Sequence, residues 1–288
     1  MKIKLSFFLI LLVCASTYNA PGQGIEEIVK NKYGGAYDKR ITIERKPAQL
    51  PGVREADVTW SKTVWRLIDM REKMNQPLYF PTQEIQGRTN LFNLLIKGIK
   101  DNTITAFEAP LNDENEFTKP TSIDQIKAIF DAVTQKKRNL KTGLLETTTV
   151  QNEIIPEQVK QLIIKEVWYF DKQKSTLQVR ILGICPIQVK ESDEDKSIEI
   201  KHKLFWVNYP EVRPLLAKNE VLNVRNNARN LSFDDLFLMR SFDGFIIKEE
   251  NVYNNRDILK YASDAYASQE SERIKNSIFN YEQDLWEY

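Results

Sequence analysis

The sequence predicts an α+β fold, a single mixed core with a strand-rich middle and helices at both ends. Three observations lead there. Runs of β-branched and aromatic residues crowd the stretch from 163 to 209. Segments with helical spacing lie on either side of it. No regular strand–helix–strand alternation connects them, which argues against a parallel α/β sheet.

A signal peptide and an irregular N-terminal arm are predicted ahead of this core. MKIKLSFFLILLVCASTYNA sets Lys2 and Lys4 before an apolar run over 5–13, with Ala15 and Ala20 among small and polar residues after it. That run is too short to anchor in a bilayer and has the layout of an export signal. Cleavage is expected after Ala20, with Ala15 and Ser16 as alternatives. Cys14 follows Val13, where lipid attachment would need a small residue, so it is expected to leave with the signal. Cys185, in the apolar ILGICPI, reads as a buried and inert thiol. Residues 21–55 bring Gly and Pro repeatedly (PGQG, YGGAY, RKPAQLPG) and read as a flexible arm. The expected organisation is signal peptide 1–20, arm 21–55 and α+β domain 56–288.

Within the domain, SKTVWRLIDMREKMN places Val64, Trp65, Ile68, Arg71 and Met74 at helical spacing behind a capping Ser61, which predicts a helix. PLYFP, bounded by prolines, predicts a short strand. RTNLFNLLIKGIKDN predicts a second helix and TITAFEA a strand. After the polar NDENEFTKPTS comes TSIDQIKAIFDAVTQKKR, an amphipathic helix with Ile123, Ile126, Ile129, Phe130 and Val133 on one side. Thr121 or Ser122 would cap it, and Lys136, Lys137 and Arg138 would form its solvated end.

IIKEVWYFD and STLQVRILGICPIQV, separated by KQK, predict a hairpin or adjacent strand pair. ESDEDKS is a charged turn and KLFWVNY a third strand. PEVRPLLA opens a short helix with Pro210 at a tolerated first position. SFDDLFLMRSF predicts a helix capped by Ser232, GFIIKEE a strand, and SERIKNSIFNYEQDLW a terminal helix. One order recurs: helix, Arg71, LYF, Arg88, helix over 65–92, and helix, Arg240, FII, Arg256, helix over 237–259. Recurring α+β grammar explains it better than a duplication, and separate domains are not assigned.

The residue types say little for catalysis. The chain has one histidine and two cysteines, which leaves no set of N and S ligands for zinc. His202 lies between Lys201 and Lys203 and reads as a surface or strand-edge residue, without a G-x-S-x-G elbow anywhere to serve. The glycines never form a phosphate-binding pattern. Glu191, Asp193 and Asp195 alternate, but Lys196 and His202 stand where a calcium loop needs Gly and Glu. No catalytic, metal or cofactor residue is therefore assigned. Net charge is +1, from 41 basic and 40 acidic residues, so nucleic acid is not an expected partner.

Aromatic residues and arginine are the abundant types. Most of Trp65, Trp168, Tyr169, Phe170, Phe205 and Trp206 are expected in the core. Those near the ends of elements, Tyr209, Arg213, Trp286 and Tyr288, are the candidates for an interface, with Tyr33 and Tyr37 of the arm. An exported hydrolase using carboxylates or a Lys-activated serine is the main rival reading, and a monomeric periplasmic binding module is another.

DVTWSKTVWRLIDMREKMNQPLYFP, IKEVWYFD, LGICPI, LFWVNYPEVRP and SFDDLFLMRSFDGFIIKEENVYNNRDI together resemble the GldN (PorN) family, over about residues 56 to 288 and in the expected order. The resemblance implies a periplasmic part of the type IX secretion and gliding machinery, without catalytic residues. It implies self-association in a ring with a GldK/PorK-type lipoprotein at the inner face of the outer membrane. It also implies a link to a GldM/PorM-type motor protein, with membrane attachment only through partners.

Overall fold

The computed structural model describes residues 44–285, apart from 86, 111–115, 131–134, 139–144, 149–153, 192–198 and 223–230. The α+β expectation holds. Strands β1 (Val58–Asp69), β2 (Ala106–Phe107), β5 (Val159–Asp171), β6 (Thr176–Glu191), β7 (Glu199–Lys203), β8 (Trp206–Asn208) and β9 (Phe245–Glu249) form one seven-stranded sheet. Its order is β2-β8-β6-β5-β1-β9, with β7 also on β6, and every pairing is antiparallel. A separate pair joins β3 (Gln135–Arg138) to β4 (Leu145–Thr148). The helices are α1 (Gln76–Tyr79), α2 (Leu91–Lys100), α3 (Ile123–Phe130), α4 (Tyr209–Ala217), α5 (Phe233–Leu238) and α6 (Asp264–Asp284).

The predicted hairpin is the spine of the sheet: β5 and β6 pair along nearly their whole lengths, from Val159↔Gln188 to Asp171↔Thr176. The helix predicted from Ser61 is instead strand β1, paired with β5 from Val58↔Asp171 to Asp69↔Gln161. The reason is burial on two sides. Val64, Arg66 and Ile68 face the helices while Trp65 and Leu67 face the other way, and all five are buried. A strand covered on both faces loses its alternation, and Val64 and Ile68 then mimic a helical i, i+4 pair.

PLYFP is the second correction. It forms the single turn α1, with Pro77 in its first turn, where a missing N–H costs nothing, and Pro81 beyond its end. These two changes dissolve the suspected repeat, because 65–92 runs strand then helix whereas 237–259 runs helix then strand. Lys136, Lys137 and Arg138 are the third correction: they belong to β3, opposite β4, and not to a helix end. The other helices follow their signals. Asn90 Oδ1 accepts from Asn93 N at 2.8 Å to cap α2. Ser232 and Asp235 form a reciprocal capping box on α5, at 3.1 and 3.0 Å.

Three apolar clusters hold the layers together. The largest packs α2, α4 and α5 on one sheet face, with Leu95, Phe205, Val212, Leu216 and Phe233 against Ile68, Leu162, Ile164 and Ile184. The opposite face carries Trp65, Leu67, Ile163, Cys185, Ile187, Val189 and Trp206, covered in part by Phe107, Ala109 and Phe117. The third cluster seats α6 on β9 and β1 through Ile274, Ile278, Ile246 and Val64. Among the described side chains of α6 only Ser271, Ile274 and Ile278 are buried, so the helix holds the sheet by one narrow stripe.

Candidate functional site

Of the six predicted interface residues, Tyr33, Tyr37, Trp286 and Tyr288 lie outside the described residues. The other two meet inside the fold. Tyr209 is 2% exposed and donates its hydroxyl to Asp234 Oδ1 at 3.0 Å. Arg213 donates Nε and Nη2 to the two Asp234 oxygens, at 2.9 and 3.0 Å. Burial pushes the Tyr209 phenol well above its ordinary range, and the Asp234 carboxylate adds to the effect. Arg213 Nη2 also donates to the Ala48 carbonyl at 2.6 Å, and Arg45 pairs with Asp235 at 2.7 Å. Asp234 thus ties α4 to the first turn of α5, while Arg213 and Asp235 hold the 44–55 stretch onto both.

His202 lies exposed on β7 opposite Gln188, and Cys185 is fully buried. Among the described residues no cluster of His, Cys, Asp or Glu could hold a metal ion, and no helix is long and apolar enough to cross a membrane.

A cleft of about 460 Å³ lies between α6, the sheet and the 240–246 segment. Glu166, fully buried, is held by Arg66, Trp168 and Arg240 of its lining. Three donors converge on that carboxylate. Arg66 lies 3.5 Å away through Nε, Arg240 Nη2 lies 2.9 Å from Oε1 and 3.2 Å from Oε2, and Trp168 Nε1 donates at 3.2 Å. Local structure explains the convergence. Glu166 and Trp168 are two apart on β5 and share a face, and Val64↔Glu166 and Arg66↔Ile164 place Arg66 diagonally across on β1.

Arg240 arrives by a different route. At the end of α5, Ser241 N donates to Leu236 O at 2.9 Å and Arg240 N to Phe237 O at 3.1 Å, which is the Schellman pattern. That motif needs a left-handed residue, and Arg240 supplies it with φ 52°. An arginine holds the position where glycine costs least. Its guanidinium stacks between Trp168 and Phe242, 5.1 Å from each ring centre. Arg66 Nη1 donates to the Gly244 carbonyl at 2.7 Å, and only glycine fits there, since a Cβ would stand 2.5 Å from Leu67 O.

Two guanidinium groups therefore share one carboxylate. Burial lowers the Arg240 pKa, Glu166 opposes that, and the nearby Arg66 charge reinforces it. Arg240 Nη1 is buried without a hydrogen-bond partner. The rim adds Lys275, Asp243 and Glu282, with Ile278 and Phe279 as the apolar wall. Sequence reasoning missed this cleft. The one signal was Glu166 itself, a charge within the strand run IIKEVWYFD, which must be paired if the strand is covered.

The family model for gliding motility associated protein GldN matches residues 53–287. No curated protein matches the chain.

Proposed function

The chain belongs to the GldN family of gliding-motility and type IX secretion components, and from that premise we propose that it is a non-enzymatic periplasmic ring subunit. In this reading it assembles with a GldK/PorK-type lipoprotein beneath the outer membrane and is linked to a GldM/PorM-type motor protein. The family works in a multi-protein secretion machine and is not a known enzyme family.

Beyond the family, exposed apolar side chains at the two ends of β9 support this reading. Phe245 opens the strand, with Met239 and Met74 exposed on segments tied to that end, where Asn75 Nδ2 donates to Asp243 O at 2.9 Å. Val252 and Tyr253 leave the other end, 90% and 70% exposed, followed by the exposed Leu259, Tyr261 and Tyr266. A closed ring repeats one head-to-tail contact, so each subunit needs two different adhesive faces. Methionine and aromatic residues are the types enriched in such contacts.

The organisation we propose keeps 1–20 as signal, 21–55 as an arm that orders on a partner, and 56–288 as the domain. Part of that arm, 44–55, already lies on the domain through Arg45, Ala48 and the Pro51 carbonyl, which accepts from Arg180. The test is the native mass of residues 21–288, alone and co-expressed with the matching lipoprotein. A monomer alone and a large co-assembly with the lipoprotein are expected. A monomer that ignores the lipoprotein would end the ring-subunit reading.

A further inference from the structure

We propose that the cleft between α6 and the sheet is a binding site for a carboxylate carried on an aromatic or apolar body. Charge in the lining is the first argument. Arg66 and Arg240, both largely withdrawn from water, face the single carboxylate of Glu166, which leaves one uncompensated positive charge. A second carboxylate would remove it and give the unpartnered Arg240 Nη1 an acceptor after a small turn of the side chain.

The walls supply the second argument. Trp168, Phe242, Ile278 and Phe279 line the cleft beside the cations, and Phe279 is 56% exposed. A volume of about 460 Å³ admits an aromatic side chain together with its carboxylate. The rim carboxylates decide between anions. Asp243 and Glu282 both line the cleft, Asp243 accepting from Gly244 N at 2.8 Å and Glu282 from Leu177 N at 3.3 Å. Lys275 is partly engaged by Glu272 at 3.3 Å. The carboxylates of this rim penalise a phosphate dianion about twice as much as a monoanion, so the monoanion is favoured.

The opposite sheet face offers a template within the same chain. There Glu116 and Phe117, adjacent in sequence, seat together on Trp65, Lys165 and Trp206. A carboxylate followed by an aromatic ring is thus a shape that this sheet already receives. A free aromatic acid and an acidic side chain of a partner protein share this chemistry.

The experiment is titration calorimetry of residues 21–288 with four probes: 3-phenylpropanoate, its neutral amide, inorganic phosphate, and a capped peptide with glutamate followed by phenylalanine. The acid and the peptide are expected to bind, with the amide and phosphate at least tenfold weaker. Arg240→Gln is expected to weaken the acid tenfold or more. Phe279→Ala, at an exposed position that cannot threaten folding, is expected to weaken it about threefold and keeps the test open if Arg240→Gln does not fold. A peptide tighter than the free acid assigns the site to a protein partner, and the reverse assigns it to a small carboxylate. Equal binding of acid and amide, preference for phosphate, no binding of any probe, or indifference to Phe279→Ala overturns the proposal.

Discussion

The two faces of the sheet solve one electrostatic problem in two ways. On the face away from α6, Lys165 and Lys248 lie over the Trp65 ring at 4.9 and 4.3 Å. Glu116 answers them, accepting from Trp65 Nε1 at 2.6 Å and pairing with Lys165 at 2.5 Å. That carboxylate comes from a strap formed by 106–110 and 116–121, clipped by Thr121 N to Ala106 O and Glu108 N to Lys119 O, each at 2.8 Å. On the other face Arg240 lies over the Trp168 ring beside Arg66, but the carboxylate the two arginines share, Glu166, belongs to the sheet itself. One face is closed by its own chain and the other is left open. Similar stoichiometry with different closure separates a structural cluster from a receptive one.

Glu166→Gln would break the comparison most strongly. It strands two desolvated guanidinium groups, and a loss of about 3–5 kcal/mol is expected in urea unfolding. Glu116→Gln tests the closed face. Removing the charged acceptor from Trp65 and Lys165 is expected to cost about 3 kcal/mol and to expose the strap to protease. If protection of the strap is unchanged, Glu116 is not what closes that face.

Gly183→Ala probes the same closure sterically. A Cβ there would overlap the Phe117 ring and stand 3.0 Å from Val207 O, so overpacking should cost about 1–3 kcal/mol. Faster hydrogen exchange confined to the strap is the accompanying signature. His202→Ala, on the exposed strand β7, should change stability by less than about 0.5 kcal/mol, which circular dichroism in urea can check.

The start of α5 was plain in the sequence because capping is local chemistry, and Ser232 acts within three residues of itself. The β5–β6 hairpin was plain for the same reason. Strand β1 was not, since burial from both sides erased its period. The cleft was further out of reach. Arg66 and Glu166 are 100 residues apart and Glu166 and Arg240 another 74, and only the sheet register and the end of α5 bring them together. Tyr209 and Arg213 carried an interface signal by residue type, but Asp234 engages both internally, a pairing that composition does not reveal.

The position of β1 also shapes how the chain can fold. Strand β1 pairs with β5 about a hundred residues later and with β9 later still, whereas β5 and β6 pair across a four-residue turn. The hairpin can therefore form early, and closing the long loop to β1 is the slower, entropically costly step. During synthesis β1 emerges first and waits, its two apolar faces and both hydrogen-bonding edges without partners. A chain cut off before residue 159 would retain that orphaned strand and should aggregate, while a fragment beginning at β5 keeps its hairpin. Translation order leaves this protein vulnerable from its first strand until its spine arrives.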